Sequence, residues 1–229
     1  MRFFRRSAIK TFVLNGWSAS EHAWDLCRFA RDRIFSYVEQ LDGAPEAALR
    51  EESDVILVGW SMGGSTALRL AVASPEKIRG LVLVAATARM MQAPGWVGMS
   101  ERRLAALEVG LKMTHGEGLS ALPDGAPNPY MLDEDGNLAR GLDYLRETDV
   151  RQELVDLRAS GRLKCPVFIF QSERDGIVRR ENADFLREVF PNAVVEIVPG
   201  CEHALPIVIP SRIDAAVSRM KGRVCRMPN

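Results

Sequence analysis

The stretch "VILVGWSMGGSTALRLA", Val55 to Ala71, limits this chain to few folds. Four branched apolar residues run into Gly59, Ser61 stands two residues on, and Gly63 and Gly64 follow before a helical pattern begins. A buried strand followed at once by a helix needs a very tight turn. Glycines on both sides of the serine allow the backbone to make it, because a Cβ there has no room. The G-x-S-x-G spacing is weak as a string of letters. Here it follows a strand and opens a helix, the context in which such a turn lifts a serine hydroxyl above a sheet. The alternatives are an ordinary glycine-rich turn or a phosphate-binding turn, and the chain has neither G-x-G-x-x-G nor the Walker pattern.

The rest of the chain sets the sheet around this turn. Short apolar runs alternate with helical patterns: "KTFVLNG" as a strand ending at Gly16, "SEHAWDLCRFARD" as a helix capped by Ser20, and a second strand within "RIFSYVEQLDG". The short helix "APEAALREE", the strand "DVILVG", the helix "GSTALRLAVASPEK" and the strand "IRGLVLVAAT" come next. Late in the chain come "CPVFIFQSE", the helix "RENADFLREVF", "AVVEIVPG" and a closing helix from Ala204 to Met220. Continuous apolar strands separated by helices predict an α/β fold: a mostly parallel sheet of about six strands with helices on both faces. Residues 88–161 break the rhythm with two helical stretches around a Pro-, Gly- and Asp-rich loop, and no strand is predicted there. This segment is expected to be a helical cap inserted between residues 1–87 and 162–229, over the carboxyl edge of the sheet, where ligands bind in such folds.

Bulk properties exclude more than they suggest. In 229 residues, Lys plus Arg and Asp plus Glu balance at 30 each, so no overall field favours nucleic acid or an anionic membrane. No apolar run approaches the roughly 20 residues that cross a bilayer. The start "MRFFRRSAIK" is basic but lacks the apolar stretch and cleavage site of a secretory signal and reads as a mature N-terminus, while the scattered cysteines make a reducing cytoplasm the expected location. The four cysteines, Cys27, Cys165, Cys201 and Cys225, show no C-x-x-C spacing, and neither a metal nor another cofactor is expected.

A serine needs a base, and the base needs an orienting acid. Of the three histidines, only His203 lies after the last strand, in "VPGCEHALP". His22 falls on the first helical stretch and His115 within the insertion. The acid should follow the fifth strand, in "FIFQSERDGIV", where Asp175 precedes a glycine; Glu173 is the second choice and Asp149 the third. The order Ser61, Asp175, His203 is the one this architecture uses. Two N–H donors should face the developing oxyanion: that of Met62, after the serine, and that of Trp17, in the loop after the first strand.

These motifs are similar to those of the α/β-hydrolase superfamily. Within it, "NGWSASEHAW", "GWSMGGSTAL" and "GLDYLRETDVRQEL…CPVFIFQSERDGIV" resemble the pimeloyl-(acyl-carrier protein) methyl ester esterase family. The resemblance implies Ser61, Asp175 and His203 as the triad, with Trp17 and Met62 at the oxyanion hole. It also implies a small acyl ester as substrate, carried on acyl-carrier protein. The chain departs from the pattern at Asn15, where the family has histidine, and at Arg179, where it has proline. The two strands that commonly precede the first are missing, which shortens the sheet.

The insertion should select the substrate. Met91 and Trp96 are the expected lining residues, among other apolar side chains whose plainer role is packing. Arg140, Arg146, Arg151 and Arg158 would meet an acidic carrier protein if the resemblance holds, although the insertion also carries many acids. The expected reaction is serine-dependent ester hydrolysis. The alternatives are a generic carboxylesterase or acyl thioesterase and, from another class, a hydrolase fold that binds without catalysis.

Overall fold

The structure is a computed structural model that describes residues 8–114 and 136–224. Six strands form one sheet in the order β2-β1-β3-β4-β5-β6, and every pairing is parallel. They are β1 (Lys10–Leu14), β2 (Arg33–Phe35), β3 (Val55–Trp60), β4 (Ile78–Val84), β5 (Val167–Ser172) and β6 (Val194–Val198). The helices are α1 (Tyr37–Leu41), α2 (Ala44–Glu51), α3 (Met62–Ala73), α4 (Glu101–Thr114), α5 (Asn137–Glu147), α6 (Arg151–Ser160), α7 (Glu181–Val189), α8 (Leu205–Val208) and α9 (Pro210–Val224).

The period-two geometry of the strands divides the core in two. Val55, Leu57, Leu81 and Leu83 point to one face, where they pack with Leu68 of α3, Leu154 of α6 and Leu186 of α7. Ile56, Val58, Val82 and Val84 point to the other and meet Trp24 and, from α9, Ile213 and Val217. Both faces are covered, which is why the strands read as unbroken apolar runs rather than alternating ones. The strand order reverses between β1 and β3. The loops leaving the carboxyl ends of these two strands carry Trp17 and Ser61, at the place where such folds bind ligands.

Three segments differ from the sequence-based expectation. The helix expected over "SEHAWDLCRFARD" is a single 3-10 turn, Glu21–Trp24. The Asp214 carboxylate accepts the backbone N–H groups of Arg28 and Phe29 at 2.8 and 3.0 Å, and Trp24 is drawn fully into the core, so tertiary contacts replace helical bonds. The closing helix is two pieces, α8 and α9, broken at Ile209, because Pro210 disfavours helical backbone in the residue before it. After β2 the chain forms α1 before the Asp42-Gly43 turn. Ser36 and Glu39 make a reciprocal capping box at its start, a Ser-x-x-Glu signature present in the sequence.

The chain on either side of residues 90–148 comes together at one place. Arg89 and Asp149 pair in a short antiparallel bridge, and the Val150 N–H donates to the Ala88 carbonyl at 3.0 Å. Between these points, α4 and α5 pack over an apolar cluster that includes Met62, Met90, Met91, Met99, Leu104, Leu138 and Leu142. α6 differs from them: Leu154 and Leu157 belong to the layer covering the sheet. The loop "SALPDGAPNPYMLDEDGN" and His115 fall almost entirely or wholly outside the described residues.

Candidate active site

The turn after β3 carries the first member of the site. Ser61 has φ 55° and ψ −119°, a positive-φ conformation that costs a non-glycine residue free energy and persists only when the surroundings fix it. They do so here. The Ser61 N–H donates to the Val84 carbonyl at 3.0 Å, continuing the sheet, and the Ser61 carbonyl accepts from Gly64 and Ser65, starting α3. A Cβ at residue 59 would lie 2.4 Å from the Gly63 carbonyl oxygen, and one at residue 63 would lie 2.0 Å from that of Leu14. The two glycines of the motif are therefore demanded by backbone contacts.

Ser61, His203 and Asp175 come together across 142 residues of sequence. His203 Nε2 lies 2.8 Å from Ser61 Oγ, and His203 Nδ1 lies 2.7 Å from Asp175 Oδ2. The second oxygen, Asp175 Oδ1, accepts the backbone N–H groups of Ile177 and Val178 at 2.8 and 2.9 Å, and the side chain is fully buried. A carboxylate only accepts, so the His203 Nδ1 carries the proton. The Nε2 lone pair is then left facing the Ser61 hydroxyl, which donates to it.

Two residues that the motifs did not single out hold this row in place. The Trp60 indole N–H donates to the His203 carbonyl at 3.0 Å, and its ring centroid lies 5.8 Å from the imidazole. Gln171, at the end of β5, donates to the Val178 carbonyl at 2.9 Å and to Asp175 at 3.4 Å. Both could have been noticed as polar-tipped residues at the ends of otherwise apolar strands. Asn15, the departure from the family pattern, is buried after β1. It accepts from the Trp24 indole at 2.5 Å and donates to the Ala19 carbonyl at 3.4 Å, which closes the loop carrying Trp17.

The other acids lie elsewhere. Glu173 accepts from the Gly200 N–H at 2.9 Å and ties the β5 exit to the turn before Cys201. Asp149 is clamped by Arg151 and Arg89, whose hydrogen bonds hold its carboxyl far below the usual carboxylate range. His22 pairs with Asp25 on the surface.

Met62 begins α3, so its backbone N–H has no acceptor within the helix and points out of the helix end beside Ser61. Gly16 brings the β1 loop against the turn, where a Cβ at residue 16 would lie 3.4 Å from that of Ser61. Trp17 follows directly, and its indole N–H donates to the Leu138 carbonyl of α5 at 3.0 Å. Met91 is buried in the same apolar cluster as Met62. Trp96 is placed differently: its indole donates to the Arg89 carbonyl, its ring meets Phe185 edge-on at 5.1 Å, and the Arg151 guanidinium lies over it at 5.1 Å. Those described contacts are to α6, α7 and the start of the insertion, and none is to Ser61, Asp175 or His203.

The four arginines have separate surroundings. Arg140 pairs with Asp42 at 2.7 Å, Arg146 with Glu108, Glu101 and Asp143, and Arg151 with Asp149. Arg158 lines a cleft with Lys164, Cys165 and Phe190 at the start of β5, the sheet edge opposite Asp175. Among the described residues no group of acids, histidines and cysteines could hold a metal ion. No helix among them is long and apolar enough to cross a membrane.

Residues 14–216 match the alpha/beta hydrolase family. The chain belongs to that family. Its sequence is 26% identical over 229 residues to the pimeloyl-(acyl-carrier protein) methyl ester esterase of Pectobacterium carotovorum, covering 84% of this chain and 86% of that one. The protein of the same name from Yersinia enterocolitica is 25% identical over 227 residues, with 84% and 85% covered. In structure this hydrolase is similar to the esterase EaEST from Exiguobacterium antarcticum, with a TM-score of 0.70, 16% identity, and 93% and 92% of the two chains covered. It is also similar to a hydrolase from Pseudomonas aeruginosa, with a TM-score of 0.66, 19% identity, and 95% and 91% covered.

Proposed function

We propose that this hydrolase cleaves a carboxylic ester through Ser61, with His203 as base, Asp175 as its orienting acid, and the N–H groups of Met62 and Trp17 as oxyanion donors. The observation that carries this reading is the unbroken row Ser61 Oγ, His203 Nε2, His203 Nδ1, Asp175 Oδ2, with spacings of 2.8 and 2.7 Å. His203 takes the hydroxyl proton as Ser61 Oγ bonds to the ester carbon. The carbonyl oxygen becomes an oxyanion between the two N–H groups, which act where charge develops. The C–O bond to the alcohol breaks, and the alcohol leaves with the proton from His203. Water, deprotonated by His203, then attacks the acyl-serine, and Ser61 leaves with that proton as the free acid forms.

The substrate is the methyl ester of a pimeloyl group on acyl-carrier protein. The names of relatives aligned over 84% of the chain support this choice, as does the methionine-rich cluster of Met62, Met90, Met91 and Met99 beside Ser61. Methionine adapts its shape to flexible aliphatic chains. Carrier docking through Arg140, Arg146 and Arg151 would require the acidic partner to compete with the ion pairs these residues already make.

The test is to incubate the protein with methyl-pimeloyl carrier protein and follow both bonds by mass spectrometry. Loss of the methyl group with the thioester intact supports the reading. Thioester cleavage with the methyl ester intact makes the protein an acyl thioesterase. Failure to restore growth without biotin in a cell lacking its own esterase would overturn the carrier-borne substrate.

A further inference from the structure

We infer that helix α5 and the oxyanion donors form one mechanical unit: a seat made by Leu138 and Gly141 fixes the Trp17 indole and through it the Trp17 backbone N–H. The oxyanion site is then complete only while α5 is docked. The inference rests on the ester-hydrolase reading above.

Three observations carry it. First, Trp17 and α5 meet without any intervening side chain. The indole donates to the Leu138 carbonyl at 3.0 Å, and a Cβ at residue 141 would lie 2.2 Å from the ring Cδ1 and 2.5 Å from Nε1. The ring therefore lies against the bare backbone of α5, and only glycine leaves room for it.

Second, the loop that carries Trp17 is stiff. Ala19 donates to the Gly16 carbonyl at 3.1 Å, Ser18 is held at φ 59°, and Asn15 ties the loop to Trp24. A push on the indole cannot be absorbed by a slack loop and passes to the Trp17 backbone.

Third, α5 holds the other donor as well. Leu138, Leu142 and Leu145 pack in the cluster that buries the Met62 side chain. The helix is itself anchored, by Tyr144 to Thr66 of α3 at 2.9 Å and by Arg146 to Glu108 of α4. Trp17 thus touches α5 directly, and Met62 shares the apolar cluster that α5 helps to form. An acyl group that fits with α5 docked finds both donors in place. One that forces α5 away binds but is turned over slowly, so selection appears in kcat.

The experiment is a double-mutant cycle between Gly141 and Trp17, read as kcat and KM on p-nitrophenyl butyrate and as affinity for a trifluoromethyl ketone, which imitates the tetrahedral oxyanion. Gly141→Ala is expected to lower kcat about 10- to 100-fold, because a displacement of about 1 Å costs that much at a reacting centre. KM should stay within about threefold, with ketone affinity falling in parallel to kcat. Adding Gly141→Ala to Trp17→Ala should change kcat less than about twofold, since the ring it would strike is gone. An unchanged kcat in Gly141→Ala overturns the inference, as does an equal loss with and without the Trp17 ring, or a loss in KM alone.

If Gly141→Ala does not fold, Trp17→Phe decides. It removes the bond to Leu138 and should cost kcat about 3- to 10-fold at constant KM. A kcat within twofold of wild type overturns the inference. Ser61→Ala separates the two readings. If it retains the wild-type rate, the ester-hydrolase reading fails; if it is dead while Gly141→Ala is fully active, only the coupling fails.

Discussion

Gly63 and Leu14 are in backbone contact: a Cβ on residue 63 would lie 2.0 Å from the Leu14 carbonyl oxygen. The contact joins the start of α3 to the end of β1, and it sets how closely the loop with Trp17 approaches Ser61. Both partners are backbone, so neither can swing aside. Gly63→Ala is expected to destabilise the fold by about 3 kcal/mol or more, as overpacking against fixed atoms does. Urea unfolding monitored by circular dichroism checks it. A midpoint equal to wild type would mean that α3 can shift without cost.

Asp175→Asn should leave the fold intact and nearly abolish turnover. The Asn carbonyl oxygen can keep the bonds now made by the Ile177 and Val178 N–H groups, which turns the amide NH2 toward His203 Nδ1. Nδ1 must then accept, and the ring proton moves to Nε2, where it faces Ser61 instead of a lone pair. A fall in kcat of about 10⁴-fold with little change in KM is expected. Steady-state kinetics, with the melting temperature as control, measures it.

Asp149 makes one part of acid stability traceable. Hydrogen bonds from Arg151 and Arg89 hold its carboxyl well below the usual carboxylate range in the folded protein. The folded value lies below the unfolded one, so the stabilisation is fully present above the unfolded value. It fades as pH falls toward the folded one. The stability gap between wild type and Asp149→Asn should therefore be constant from neutral pH down to about pH 5 and narrow progressively below about pH 4. Urea titrations of both proteins across that range test the sign.

Burial pushes the thiols of Cys27 and Cys165 up to about 12, aided at Cys27 by the charge of Asp214. The thiolate is the reactive species, so iodoacetamide at pH 7.5 should modify both at least about 100-fold more slowly in the native protein than in urea. Peptide mass mapping after timed quenching reads the two sites separately. Equal rates in both conditions would place them at the surface.

The motifs carried the architecture further than they carried the details. The inner strands could be read because both sheet faces are buried there: β3 is buried at all six positions, whereas the edge strands β2 and β6 are partly exposed and carry Arg33 and Glu196. Family membership was legible from "GWSMGG" because Gly59 and Gly63 answer to backbone contacts made by the turn itself. The helix expected around Trp24 failed for a reason no local pattern shows: Asp214, 186 residues from Arg28, takes the N–H groups a helix would need. Trp96 looked like a lining residue because an apolar aromatic in an insertion gives no sign of which side it faces. Its partner, Phe185, lies in α7. The arginines posed the same difficulty with charge. Their acidic partners are mostly remote in sequence, as with Arg140 and Asp42, 98 residues apart. Short-range signals such as the Ser36–Glu39 capping box were present and could have placed α1.

The proposed ester hydrolysis depends on the Ser61 hydroxyl. The direct measurement is the initial rate of p-nitrophenyl butyrate hydrolysis by wild type and by Ser61→Ala, with matched melting temperatures. The predicted result is measurable turnover by wild type and a loss of about 10⁴-fold or more in the variant, as removal of a triad nucleophile produces. A variant that keeps more than about a tenth of the wild-type rate would contradict it, because no removal of a catalytic nucleophile is so mild.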